Sequence, residues 1–450
     1  MLTVTLVVLA GSAHAAGYTV PDSGVRAMGR AGAYVVGADD LSAQYYNPAA
    51  LSGLESHGLN IDLAGMIQTV RFDRADEEGL EFEPVTNAAG PMPLPRLGFS
   101  PDLDSEHWTL AFGIWSPAAP RYEYPADGAQ RYALTDATLV AVNIGPSVAW
   151  RQGPVSLGVS LAWSVFRVDQ TLAASTAIEG TDDPAYDIRT QITAFDAFTP
   201  TGNAGILVTP VPWLTLGASV QPPVSYRAKG SLSTDFSKNV FYTGESDFGQ
   251  VIAAPDAEDD DITLPITLPL VARGGVLVRP TDRFEVEADF VYEAWSSFDE
   301  LRITDLDMTI EATGGDDLLV TDDIVLPTQL DNAWSVRLGG EGAVSERVKL
   351  RAGALFETSA VPEATRSVML PDGAKVGYGL GASYSAGARW AFDVGFMQSF
   401  VLDQQVTRTT VFQVGIDPLT GNVGYGKTVG KGMLAAANHA LGVGMTWRLP

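Results

Sequence analysis

Residues 283–294 read Arg-Phe-Glu-Val-Glu-Ala-Asp-Phe-Val-Tyr-Glu-Ala. Phe284, Val286, Ala288, Phe290, Tyr292 and Ala294 share one parity, and Arg283, Glu285, Glu287, Asp289 and Glu293 hold the other. Successive side chains of a strand point to opposite faces, so a period of two builds a strand with one apolar and one charged face. Leu441, Val443, Met445, Trp447 and Leu449 follow the same rule, as do Val155, Leu157, Val159, Leu161, Trp163 and Val165. Fourteen segments of this kind can be placed, at 57–72, 92–101, 105–117, 137–151, 153–170, 198–210, 212–229, 262–279, 282–300, 330–344, 346–359, 375–386, 388–403 and 433–449.

Their connections alternate in length. Tight turns fall at Pro101–Asp104, Gln152-Gly153, Val211, Pro280-Thr281, Ser345 and Gly387, and long acidic or Pro/Gly-rich loops at 73–91, 118–136, 171–197, 230–261, 301–329, 360–374 and 404–432. An even strand count with short turns at one end and long loops at the other is the pattern of an outer-membrane barrel. Only a closed barrel lets strands satisfy every backbone group within a bilayer. The expected fold is therefore all-β, a 14-stranded antiparallel transmembrane β-barrel. Its apolar parity faces lipid and its charged parity a wet lumen, with Trp108, Trp115, Trp150, Trp213, Trp295, Trp390 and Trp447 as interfacial girdles.

Composition narrows the chemistry. A formal charge of -26 lacks the basic footprint that nucleic acid requires. With no cysteine among 450 residues, disulfides, thiolate metal sites and Cys nucleophiles are excluded. Residues 2–10 are apolar and lead to Ala13-His14-Ala15, so 1–15 reads as a secretory signal cleaved after Ala15, with the true start of the signal lying upstream of Met1. No later run offers the 18 or so apolar residues of a membrane helix.

Several motifs reduce to ordinary structure. Gly421-Asn422-Val423-Gly424-Tyr425-Gly426-Lys427-Thr428 satisfies the phosphate-loop pattern, but it sits in a Gly-rich connection without the parallel strand and helix that cradle phosphate. Gly29-x-x-Gly32 lacks the dinucleotide spacing. His57, His107 and His439 are isolated, and no nucleophile elbow accompanies them. Runs such as Asp259-Asp260-Asp261, Asp316-Asp317 and Asp322-Asp323 lack EF-hand spacing and read as solvated loop faces, with bridging of divalent cations to lipopolysaccharide as the alternative. No metal, cofactor or enzyme activity is expected. Basic side chains are scarce. Arg337, Arg351 and Arg389 on the polar parity, and Arg121 and Arg131 in the second long loop, are read as internal ion-pair partners or as ligands for a carboxylate such as a fatty acid.

One stretch escapes the alternation. Gly29–Leu54 is rich in Gly and Ala, carries Asp39-Asp40, and turns at Asn47-Pro48. Gly29-Arg30-Ala31, Ala38-Asp39-Asp40 and Tyr46-Asn47-Pro48-Ala49-Ala50-Leu51 resemble the N-terminal hatch of FadL-type long-chain fatty-acid transporters, a family that includes aromatic-hydrocarbon uptake members. The resemblance continues through Gly113–Pro117, Asn143–Trp150, Trp295–Phe298, Trp334–Gly339, Leu350–Ser359, Leu370–Gly373 and Gly381–Tyr384, covering essentially the whole mature chain.

The resemblance implies a monomeric barrel at 57–450 plugged by a hatch at 16–56, with Asp39, Asp40, Asn47, Pro48 and Ala49 as its motif residues. It implies passive uptake of a hydrophobic small molecule, foremost long-chain fatty acids, in contact with membrane lipid and lipopolysaccharide. Release is lateral, through an opening at an inward-kinked third strand, where Gly113 and Pro117 are the expected weak points. An aromatic-hydrocarbon or xenobiotic channel, or a structural or adhesive barrel acting through its loops, are the alternatives. Asp39 and Asp40 are expected to tie the hatch to lumenal arginines.

Overall fold

The computed structural model describes residues 23–54, 57–75, 80–177, 181–402 and 405–449. The expected signal at 1–15 and the first residues of the expected hatch, 16–22, lie outside the described residues. Fourteen antiparallel strands form a closed ring. They are β1 Gly58–Arg74, β2 Met92–Ser100, β3 Trp108–Ala118, β4 Asp136–Gln152, β5 Val155–Ser175, β6 Asp187–Val211 and β7, which runs in two pieces, Leu214–Gln221 and Val224–Asp235. β8 also runs in two pieces, Asp256–Leu268 and Val271–Thr281. The rest are β9 Phe284–Glu293, β10 Ala333–Ala343, β11 Val348–Glu357, β12 Lys375–Ala386, β13 Trp390–Val401 and β14 Gly432–Arg448. β1 and β14 pair from Gly58↔Arg448 to Arg74↔Gly432 and close the wall.

Below mid-height the face chemistry is as the alternation requires. Leu63, Leu338, Leu350, Leu380, Phe392, Leu441 and Val443 stand exposed around the outside, as lipid contact demands. Trp108 lies beside Trp150 and Trp390 beside Trp447 at the short-turn end. Two of the expected girdle residues do not belong there. Trp115 is buried because it shares the inward parity of Thr109, Ala111 and Gly113, and Trp295 because it lies past the end of β9 in a 3-10 turn, on the parity of Asp289 and Val291.

The lumen is not wet as expected. Glu287 and Asp289 are fully buried beneath the N-terminal segment, which fills the lower barrel. That segment holds α1 Val25–Gly29, α2 Ala43–Tyr46 and a 3-10 turn, Pro48–Gly53. Small wall residues let its backbone lie directly on the strands. A Cβ on Gly353 would sit 2.1 Å from the Arg30 carbonyl oxygen, and one on Gly158 would sit 2.2 Å from the Pro48 carbonyl carbon.

Higher up, β6, β7 and β8 reverse polarity at one level. β6 carries one extra residue there, since Ser164 faces Thr199 but Phe166 faces Asp196. β7 breaks at Pro222-Pro223, and β8 at Pro269-Leu270. Below this crease the inward side chains include Asn203, Thr215, Ser219, Gln221 and Arg273; above it they are Ile192, Ala194, Val224, Tyr226, Ala228, Ile262, Leu264, Ile266 and Leu268. A one-residue slip exchanges the faces of a strand. The upper lumen is therefore apolar, and Ser225, Arg227 and Lys229 face outward.

The long loops are shorter than the alternation suggested, because β5 and β6 reach Ser175 and Asp187, and β7 and β8 reach Asp235 and Asp256. Two hairpins from residues 294–332, Glu300–Ile303 with Ile324–Pro327 and Met308–Ile310 with Leu318–Val320, pack on the apolar lumen. A third hairpin pairs Phe412–Ile416 with Val423–Thr428, so most of the phosphate-loop match is strand, with no helix after it. On the outer surface Glu363 accepts hydrogen bonds from Thr407 N (2.7 Å), Thr407 Oγ1 (2.6 Å) and Arg408 N (3.1 Å). These bonds favour the charged form and hold the carboxyl down at about 2, from an ordinary 4.5. A depressed folded-state pKa gives stabilisation that is present above the unfolded value and lost as pH falls through the folded one. Pepsin cleavage near Thr407 is therefore expected to accelerate as pH drops from 4.5 toward 2. Glu363→Gln should be fast throughout, and equal pH profiles for the two proteins would contradict the clip.

Candidate functional site

The hatch is tied to the wall chiefly by charge. Arg30, almost completely buried, reaches Glu285 at 2.8 Å and Glu287 at 2.7 Å, both on β9. Glu287 also accepts the amides of Val36 and Gly37, and Asp289 accepts that of Val35 at 3.0 Å. The acidic face of β9 is thus a docking strip for one turn of the hatch. Arg26 contacts Asp39 at 3.0 Å within the hatch and Asp393 of β13 at 3.1 Å. Asp39 lies 3.7 Å from Lys349, and Asp40 accepts the amide of Ser42. The aspartates therefore meet mainly hatch residues, and Arg26 and Arg30 supply the strongest ties to the wall.

Asn47, Pro48 and Ala49 form a cap. The Asn47 side chain accepts the Ala49 amide at 3.1 Å, with Pro48 at the first position of the 3-10 turn, while its Nδ2 donates to the Ile206 carbonyl of β6 at 3.3 Å. A Cβ on Gly205 would lie 1.9 Å from Asn47 Oδ1, so this seat needs glycine.

The third strand is irregular. β3 pairs with β2 only at Leu97↔Ile114, Gly98↔Gly113 and Phe99↔Phe112. Met92–Arg96 stay paired with β1 alone. On the other side β3 bulges between Trp115 and Ala118 against β4, where the Ser116 hydroxyl donates to the Ala141 carbonyl at 2.6 Å. Pro117 lies in this bulge. Gly113 does not mark the break, since it pairs with Gly98 and with Gly145, and a Cβ there would lie 2.2 Å from Gln44 Oε1. It is glycine for the hatch's sake.

The partner edge of the gap explains itself from sequence. Pro93 and Pro95 share one parity on β2 and have no N–H, and the ladder to β1 is continuous past them. Their empty nitrogens therefore suit the unpaired side, toward β3. A small cavity lies behind the gap, lined by Ser23, Val25, Met28, Leu94, Pro95 and Ser116 among others. Arg96, beside it, donates to Ser23 and to the Leu41 carbonyl and so pins the hatch against the gap.

The five sequence-selected arginines fare differently. Arg351 pairs with Glu341 at 2.5 Å and bonds Ser383 at 2.6 Å, and Arg337 lies 3.7 Å from Glu357. Arg131 binds Asp182 of an outer loop and Asp187 at the outer end of β6. Arg389 is exposed in the β12–β13 turn, and Arg121 is exposed on the outer rim. Three are thus committed to carboxylates, and two face out.

The cation that sequence reasoning passed over is Arg273. It is 7% exposed, has a Nη1 without a hydrogen-bond partner, and forms no ion pair among the described residues. Its guanidinium lies over the Tyr45 ring of the hatch, 4.9 Å from the centroid. The inward row of β8 descends through Ile262, Leu264, Ile266, Leu268 and Val271 to reach it. The available signal was that Arg273 is the single charge in 262–278, and Pro269 hid its parity. Near the outer loops a narrow cleft is lined by fifteen side chains, of which only Thr190 and Thr234 are polar.

A fourteen-stranded barrel, a buried N-terminal plug, an apolar upper lumen and an unpaired stretch of wall define an outer-membrane transport barrel. The chain belongs to the outer membrane protein transport protein family (OMPP1/FadL/TodX), which matches residues 6–440. Among solved structures, it is similar to a Pseudomonas aeruginosa FadL homologue, with TM-score 0.75 and 16% identity, over 96% of this chain and 100% of that one. It is also similar to the Pseudomonas putida toluene transporter TodX, with TM-score 0.63 and 13% identity, over 91% and 94%. These likenesses show the fold. The Neisseria meningitidis (serogroup B) protein NMB0088, named as an outer-membrane protein, is 20% identical over 434 residues, 88% of each chain. The protein is an outer-membrane transporter of hydrophobic compounds, and its family members are channels, not enzymes.

Proposed function

We propose that this chain takes up long-chain fatty acids passively as a monomer and releases them laterally between β2 and β3. Arg273 carries this reading. A buried guanidinium with a free Nη1 and no ion pair among the described residues, at the foot of an apolar row, supplies the charge-assisted hydrogen bonds that a fatty-acid head group would take. The apolar cleft near the loops would receive the ligand first, and the alkyl chain would then lie along the upper lumen. Leaving through the wall spares an apolar molecule the polar lower barrel. The hatch segment Ser23–Met28 stands behind the gap, so its displacement gates release.

The cleft itself, with no charge in its lining, favours a second reading, uptake of an aromatic hydrocarbon such as the toluene named for TodX. Uptake of labelled oleate in a strain lacking its own transporter separates the two. Saturable oleate uptake that excess toluene leaves unchanged supports the first reading. Toluene uptake without oleate uptake supports the second, and uptake of neither contradicts both.

A further inference from the structure

The wall is unzipped at a second place. From Val208↔Leu216 upward β6 and β7 hold one register, with Ala204 opposite Val220 below and Phe195 opposite Lys229 above, nine residues apart on each strand. Between those pairs, residues 196–203 and 221–228 have no main-chain pairing to each other. Pro200, Pro222 and Pro223 contribute no N–H, so part of this edge has nothing to donate. The top is held by a side chain instead. The Asp196 carboxylate accepts the Arg227 amide of β7 at 2.8 Å, together with its own bulge amide from Phe198 at 2.9 Å.

This stretch straddles the crease, apolar on the outside at its lower end and on the inside at its upper end. Outside, Phe198 is 68% exposed and Val220 just below the stretch is also exposed, so its lower end meets lipid, while Ser225 and Arg227 face outward above. Inside lies the apolar lumen, and one side chain bars the way. Tyr226 of β7 stacks on Phe166 of β5 with centroids 4.6 Å apart, and its hydroxyl meets Ser164 Oγ at 2.7 Å. It thus crosses behind β6. Unpaired backbone facing lipid costs several kcal/mol per group, so strands that merely needed to stand side by side would be zipped here.

We propose that this stretch is a second lateral port, distinct from the β2–β3 gap, through which apolar molecules already dissolved in the outer part of the bilayer enter the lumen, with Tyr226 as its latch. The port rests on the reading of the lumen as a path for hydrophobic compounds. It adds a membrane-side source to the one at the loops.

The cysteine-free chain permits a clean test. In proteoliposomes, a fluorescent fatty acid is supplied either in water on the loop side or dissolved beforehand in the lipid, and its arrival on the short-turn side is followed. Oxidising the Thr201→Cys/Pro223→Cys pair, which the register places opposite each other, should slow arrival from lipid about tenfold and leave arrival from water unchanged. Unchanged arrival from lipid with the cross-link formed overturns the port. Should that pair fail to assemble, judged by heat-modifiable migration, Tyr226→Phe decides. Loss of the Ser164 bond should speed arrival from lipid, and an unaltered rate overturns the port. Failure of the unsubstituted protein with both supplies would overturn the transport reading itself.

Discussion

Replacing Arg30 with Met is expected to loosen the hatch and destabilise the folded chain by about 3–5 kcal/mol, the usual cost of removing one partner from a buried ion pair. The guanidinium is almost wholly buried and forks onto Glu285 and Glu287. Met keeps most of the apolar stem, so the loss is electrostatic. Glu287, with no solvent exposure, would retain the Val36 and Gly37 amides but lose its cation. The barrel ladder makes no use of Arg30, so heat-modifiable migration should persist while the denaturation midpoint falls. Ion conductance across planar bilayers should rise, because the lower lumen is filled by the segment that Arg30 anchors. The exposed Arg121 and Arg389 provide the comparison, and substituting either should change stability by no more than about 0.5 kcal/mol. A normal midpoint and a closed channel in Arg30→Met would mean that packing alone seats the hatch.

The second large effect concerns the ligand. Arg273→Ala is expected to weaken fatty-acid binding roughly 10- to 100-fold, since a hydrogen bond to a charged group contributes about 1.5–3 kcal/mol. Arg273 forms no ion pair among the described residues, so removing it breaks none and only takes a nearby positive charge from Glu293. Stability should therefore change far less than in Arg30→Met. Toluene, without a carboxylate, should lose little affinity. Calorimetric titration of the purified barrel with oleate and with toluene measures both. Equal losses for the two ligands would show that Arg273 acts through packing on Tyr45, and no loss for oleate would remove it from the site.

Much of this architecture was legible because each strand below the crease obeys one rule, apolar toward lipid. That rule placed fourteen strands, their tight turns and the odd segment out. It failed where its physical basis ends. Above the crease the outer wall no longer faces lipid along β6–β8, so the alternation weakens, and residues 171–175 and 187–197 were read as loop although they are strand. Extra residues at Asp196–Thr199, Pro222-Pro223 and Pro269-Leu270 exchange the faces, and parity counted from one end assigns the wrong side beyond them. Arg273 was missed for that reason. Arg389 was misplaced by running strand parity into a turn. The acidic face of β9 was read as wet because a strand pattern carries no record of what covers it. Gly113 was read as a weak point when its role is close approach to Gln44. Which cation is already paired depends on contacts between distant strands, as between Arg30 and Glu287, and no local spacing encodes them.

Lateral release between β2 and β3, as proposed, is tested most directly by tying those two edges together. Extending their register places Pro95 opposite Ser116, and these two line the cavity behind the gap. In the otherwise cysteine-free chain, oxidation of the Pro95→Cys/Ser116→Cys pair would tie the two edges together. Oleate uptake in the transporter-deficient strain is predicted to fall about tenfold or more when the pair is oxidised, and to recover with reductant. Equal uptake in the oxidised and reduced states, with the cross-link confirmed, would contradict lateral release at this gap.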